Sequence, residues 1–178
     1  FGIEGEIGRI TRAPPPTILL PPGAFDPFGA RFSYGLLGLP LSFTYDSTDR
    51  PLDPTTGVRI QGSATPYLGF GDADRFFGIG RLQASAYWAL DAEARTILAA
   101  RVGFATILGA AADDVPATRL FFAGGGGSVR GFDYRSLGPR DPFNRPVGGR
   151  SLVEGSLEAR IRITDTIGLV PFVDVGQA

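Results

Sequence analysis

FFAGGGGSVRGFDYRSLGP, residues 121–139, decides how the rest of the chain is read. Its flanks alternate apolar and polar residues as strands do, and it does not. It is too long for a simple hairpin turn, and loops of that length in an ordered chain are usually functional. Four glycines, Gly124, Gly125, Gly126 and Gly127, lead through Ser128 to Val129, Arg130, Gly131 and Phe132. The glycine run lacks the Lys-Ser/Thr that closes a phosphate-binding loop, and no helix follows it. It reads as a hinge that lets the tip behind it fold back.

Downstream, residues 149–164 (GRSLVEGSLEARIRIT) alternate with a period of two. Val153, Leu157, Ala159, Ile161 and Ile163 face one side. Glu154, Ser156, Glu158, Arg160 and Arg162 face the other. Residues 168–176 (GLVPFVDVG) set Leu169, Val173 and Val175 opposite Phe172 and Asp174. Upstream, residues 96–108, 82–90, 57–66, 31–47 and 1–10 read as five more strands, with Gly35, Gly38 and Pro40 marking a bend in the second. In residues 57–66, Val58, Ile60, Gly62 and Ala64 form an apolar row against Arg59, Gln61, Ser63 and Thr65. Residues 48–57 (TDRPLDPTTG) are turn chemistry.

About seven strands therefore follow one another as a meander, and no segment has helical period. Several reach the ~9–11 residues that a tilted strand needs to cross a bilayer. Long loops are expected after the first, third and fifth strands and short ones after the others, the asymmetry of an outer-membrane barrel. Alternation alone does not say which face is wet, and a soluble β-sandwich binding module would alternate too. The loop asymmetry favours the barrel, with Val58, Ile60, Ala64, Leu98, Val102, Phe104, Leu157 and Ile161 toward lipid. Arg59, Gln61, Ser63, Arg101, Glu158 and Arg160 then face the lumen. Tyr45 and Trp88, near strand ends, are expected at a membrane interface.

Composition narrows the chemistry. The chain has 178 residues, no Cys and no His, and a formal net charge of −1. Thiolate and imidazole metal sites, cysteine nucleophiles and histidine bases are excluded, and nothing argues for nucleic acid. No enzyme, metal or cofactor is expected. Phe1 lies inside strand-like sequence and residue 178 just past another strand, so the chain is read as part of a longer protein. Inside a barrel Arg130 needs acidic partners, and Glu158 and Asp174, on polar faces of the two strands that follow, are good candidates.

FFAGGGGSVRGFDYRSLGP with its Val129-Arg130-Gly131-Phe132 core resembles the signature loop of the outer-membrane protein-insertase superfamily, which includes BamA, TamA and the two-partner secretion transporters. YDSTDRPLDPTTG resembles that family's periplasmic turn; SLEAR (156–160) and FVDVG (172–176) resemble the two strands after the loop. The set FFAGG, SVRGF, SLGP and PVGGRSLVEGSLEAR is most similar to the TamA branch. The match covers residues 40–178; earlier residues share only strand character.

The resemblance implies an all-β fold in which residues 1–178 are the central strands, about seven of about sixteen, of an antiparallel transmembrane β-barrel in the bacterial outer membrane. It implies an inward-folded loop whose Arg130 contacts Glu158 and Asp174, with Gly131 approaching the wall and Phe132 packed beside the arginine. POTRA domains and the terminal seam strands are not in this sequence. The implied function is insertion or assembly of client proteins of the autotransporter type by strand pairing at a lateral seam. The implied partners are outer-membrane lipid, unfolded clients and a periplasm-spanning subunit reached through the POTRA domains. The alternative within the family is a two-partner secretion pore.

Overall fold

The computed structural model describes residues 3–11, 31–71 and 75–178. Among them are nine β-strands and two single 3-10 turns, Ala112–Asp114 and Ala117–Arg119. The strands are β1 (Glu4–Thr11), β2 (Arg31–Gly38), β3 (Leu41–Asp46), β4 (Gly57–Gly71), β5 (Phe76–Ala89), β6 (Thr96–Leu108), β7 (Ser151–Arg162), β8 (Gly168–Leu169) and β9 (Phe172–Gln177). All pair antiparallel in one sheet, in the order β1-β2-β4-β5-β6-β7-β8, with β3 also on β4 and β9 also on β7.

Nine strands make seven spans, because two spans are interrupted at proline. Proline has no N–H to give a ladder. β2 and β3 both pair with β4, and across the break at Pro40 the Leu39 N–H still donates to the Pro66 carbonyl at 3.2 Å. β8 and β9 both pair with β7, and the Ala159 N–H donates to the Pro171 carbonyl at 3.0 Å. The bend expected near Pro40 is present; the one at Pro171 splits a strand that the alternation read as continuous.

Of the three long connections expected, the one after the first strand lies outside the described residues, the one after the fifth is present at 109–150, and the one after the third needs correcting. β4 runs on to Gly71 and β5 starts at Phe76, so only residues 72–75 join the third span to the fourth. Tyr67 pairs with Phe77 and Leu68 with Phe76 in what the sequence suggested was loop. The remaining short connections are each organised by one side-chain acceptor. Asp49 accepts the N–H groups of Thr55 (2.8 Å) and Thr56 (3.0 Å). Asp91 accepts those of Arg95 and Thr96, both at 2.7 Å. Thr164 Oγ accepts those of Thr166 and Ile167.

The ladder register settles the faces. Arg59, Ser85, Arg101, Ser156 and Asp174 lie on one continuous cross-strand rung, and Gln61, Gln83, Gly103, Glu154 and Gly176 on the next. Their neighbours along each strand point the other way. That opposite face is apolar and uncovered: Leu41, Phe43, Leu68, Leu82, Val102, Phe104, Val153, Leu157, Val173 and Val175 are all exposed. A β-sandwich would have buried this row against a second sheet; a barrel wall shows it to lipid.

Toward the end of the sheet where the long loop emerges, the inner face is itself apolar. Tyr34, Leu36, Tyr67, Phe77, Ile79, Ala105 and Ile107 pack there under Ala110, Val115 and Phe121 of the loop. The loop, residues 109–150, returns across the inner face rather than standing away from the sheet, and pairs with itself at Phe121–Gly149 and Ala123–Leu137.

Candidate functional site: the arginine at the loop tip

Arg130 is carried to the inner wall by a tight reversal. Gly124 and Gly125 have φ of +105° and +99°, a region that L side chains avoid. A Cβ on Gly124 would lie 2.5 Å from the Asp133 carbonyl. The Ser128 N–H closes the turn on the Gly125 carbonyl at 3.0 Å, and Ser128 Oγ accepts the Gly124 N–H at 3.1 Å. Gly126 and Gly127 meet no such constraint, so two of the four hinge glycines do the reversing. Ser128 is then tied to the wall: its hydroxyl donates to Glu154, and Arg101 Nη2 donates to its carbonyl at 3.2 Å.

Val129 is 1% exposed. Its seat is Gly176 on β9, where a Cβ would come within 2.7 Å of the valine methyl. That close approach aligns the next residue. The Arg130 N–H donates to Asp174 Oδ2 at 2.9 Å, Nε to the same oxygen at 2.7 Å, and Nη2 to Oδ1 at 2.8 Å. The guanidinium thus grips one carboxylate with both prongs. Nη1 donates to Glu158 Oε2 at 3.0 Å and Nη2 also to Ser156 Oγ at 2.9 Å. The plane lies over the Phe172 ring, 3.7 Å from its centroid.

The charges continue beyond the arginine. Glu158 Oε1 accepts from Arg160 Nε at 2.8 Å, and Arg160 Nη1 is 3.5 Å from Asp53 in the turn between β3 and β4. Glu158 pairs across the ladder with Ala99, only three residues from the start of β6. The loop leaves at Leu108, so its tip travels back along about nine residues of strand, ~30 Å.

Asp174 is 1% exposed, Glu158 17% and Arg130 29%. A buried carboxylate is stable only while paired, which ties Asp174 more tightly to Arg130 than Glu158, since Glu158 keeps Arg160.

Two expectations for the tip are corrected. Phe132 does not pack beside the arginine; it is half exposed, and the ring that does is Phe172. A Cβ on Gly131 would meet nothing within 4 Å, so Gly131 is required for its φ of +85° and not for closeness to the wall. The residue that approaches the wall is Gly176, on the wall itself.

A second charged cluster escaped the sequence reading. Arg119, in the 3-10 turn at Ala117–Arg119, donates to Glu4 Oε1 at 2.5 Å and to Glu6 Oε2. Its guanidinium lies 5.0 Å from the Tyr67 ring, Tyr67 donates to Glu4 and Tyr34 to Glu6. The alternation put both glutamates on a polar face, but their partner lies more than a hundred residues away in a loop.

A one-layer antiparallel sheet with an uncovered apolar outer face and a polar inner face occupied by its own loop defines a transmembrane β-barrel wall. The comparisons give its family. The Omp85 superfamily domain matches residues 26–178, and the chain belongs to that superfamily; the match reaches further toward the start than residue 40. The chain is 31% identical over 140 residues to the outer membrane protein assembly factor BamA of Nitratidesulfovibrio vulgaris, covering 75% of this chain and 17% of the relative. The structure resembles BamA of Haemophilus ducreyi lacking POTRA domains 1–3, with a TM-score of 0.70 and 28% identity over 84% of this chain and 31% of that one. The chain thus spans about a sixth of the curated relative's length. The chain is an outer-membrane protein, and the curated relative is named an assembly factor.

Proposed function

We propose that residues 1–178 form the central strands of a barrel that assembles client proteins in the outer membrane, and that Arg130, with Glu158 and Asp174, holds the loop tip against the inner wall during that work. The observation that carries the reading is the filled inner face. A strand-pairing machine uses backbone edges at a seam to template an incoming strand, needs no catalytic residue, and works with its lumen occupied. A secretion pore of the two-partner type has to clear its lumen, and here the loop is fastened across it by ten or so polar contacts, of the order expected for a small protein interface. POTRA domains elsewhere in the protein would connect the barrel to a periplasm-spanning partner. The motifs FFAGG, SVRGF, SLGP and PVGGRSLVEGSLEAR support a TamA-like role with autotransporter-type clients.

The test is reconstitution of the full-length protein in lipid vesicles with an unfolded autotransporter barrel and, separately, an unfolded porin. Client insertion, read as acquired protease resistance, should exceed that of empty vesicles, and the autotransporter should gain more than the porin. Equal gain for both clients would remove the TamA-like refinement. Transfer of an unfolded polypeptide to the vesicle interior without insertion would replace the assembly reading by the secretion pore.

A further inference from the structure

We infer that the loop is a diagonal tie between two distant strands of this wall, β1 and β9, and that Arg119 is a second positioning residue acting together with Arg130. Among the described residues β1 and β9 are the outermost spans, and so the edges of this arc. Arg119 fastens the base of the loop to β1 through Glu4 and Glu6. Arg130 fastens its tip to β9 through Asp174. Six strand spacings separate those edges, ~29 Å within the sheet, yet the two arginines are joined by a short run of chain that is braced along its way. Phe121 is buried against the inner face, Arg81 lies 5.1 Å from the Phe121 ring, and Val129 sits on Gly176.

Both anchors have the build of positioning contacts and not of stray surface pairs. Arg119 is 19% exposed and spans two carboxylates, each of which also accepts from a tyrosine on β2 or β4. Both carboxylate bonds leave the one nitrogen Nη2, while the guanidinium plane lies by the Tyr67 ring. A segment held at one edge only would be a plug free to swing about that edge. Held at both, it sets how far apart the edges stand, and hence the width of the lumen along this arc. The inference concerns the shape of the wall and stands whether the barrel inserts clients or secretes them.

The experiment places nitroxide labels on Ile7→Cys and Val175→Cys, both on the outward face and exposed, in the full-length protein freed of other cysteines, and measures their separation by pulsed electron paramagnetic resonance in lipid nanodiscs. The parent should give one narrow distance distribution. Arg119→Ala and Arg130→Ala should each broaden or shift it, and the double variant should do so more than either. Arg119→Lys should fall between parent and Arg119→Ala. Glu4→Gln with Glu6→Gln should reproduce Arg119→Ala, and adding them to Arg119→Ala should change nothing more; this set also serves if Arg119→Ala fails to fold. An Arg119→Ala or Glu4→Gln/Glu6→Gln distribution that superposes on the parent's, alone and with Arg130→Ala, overturns the tie.

Discussion

Arg130 does three things at once: it forks Asp174, shares Glu158 with Arg160, and stacks on Phe172. Removing it strands Asp174, which has almost no solvent contact. Breaking a buried pair from one side costs about 3–5 kcal/mol; the partly wet guanidinium places Arg130→Ala at the lower end, about 3 kcal/mol. The cost should fall on loop docking and leave the ladders intact. Arg130→Lys should recover little, since an ammonium is a point charge that cannot grip both oxygens of Asp174 and reach Glu158. Asp174→Ala combined with Arg130→Ala should cost less than the two separate losses summed, because no charge is left unpaired. Proteolytic cleavage of the loop in the folded barrel, followed across this double-mutant cycle, checks all three; additive losses would mean that the pair is not coupled. At this scale the sequence was half legible. That Glu158 and Asp174 share a face follows from a period of two, a local property. That Phe172 rather than Phe132 covers the arginine, and that Arg119 reaches Glu4 and Glu6, depends on where a loop lands, which no local pattern encodes.

Each strand carries two faces with opposite demands. Val102 is near the middle of β6 and points to the uncovered apolar side, whereas Thr44 on β3 pairs with Gln61 and points inward. Val102→Arg should therefore cost about 2–4 kcal/mol, the range for a cation at the midplane of a barrel's lipid face, and Thr44→Arg close to nothing. Urea titration of the barrel in lipid compares them, and equal costs would contradict the assignment of faces. The turns carry a pH dependence. The Thr56 N–H, then the Thr55 hydroxyl and N–H, hold the Asp49 carboxyl down to about 2 against an ordinary value of 3.8. A carboxyl depressed in the folded state stabilises above its unfolded value, and that contribution is lost as pH falls from 3.8 through about 2. Amide exchange at Thr55 and Thr56 should thus be unchanged at neutral pH and rise, relative to the intrinsic rate, below pH 3.8; Asp49→Ala should raise it at neutral pH and converge with the parent as pH falls through about 2. The elements were legible wherever alternation was clean. Residues 66–81 were not, because Pro66 and the glycines at 69, 71, 78 and 80 are weak strand formers that the ladder recruits through partners on β2 and β6.

For the whole molecule, the uncovered face has a height, and that height fixes where the bilayer sits. Trp88, at one end of β5, and Phe76, at the other, both lie on the outward face, with Tyr45 near the Trp88 end and Phe70 near the Phe76 end. The twelve steps from Trp88 to Phe76 measure ~40 Å along a strand, and a tilt of ~40° brings the vertical span to ~30 Å, the thickness of a hydrocarbon core. The two aromatic groups should therefore mark the two headgroup levels, with Trp88 on the side of the short turns. Trp88 is the sole tryptophan of these 178 residues, so in full-length protein with any other Trp replaced by Phe it reports one depth. Quenchers attached at the lipid headgroup should dim it more than quenchers at the acyl-chain end. Val102→Trp in a Trp88→Phe background, four residues along the ladder from the Trp88 rung, should reverse the order. Quenching of Trp88 strongest at the bilayer centre would place the wall at the wrong height, and no quenching at any depth would remove the membrane from the reading of this face.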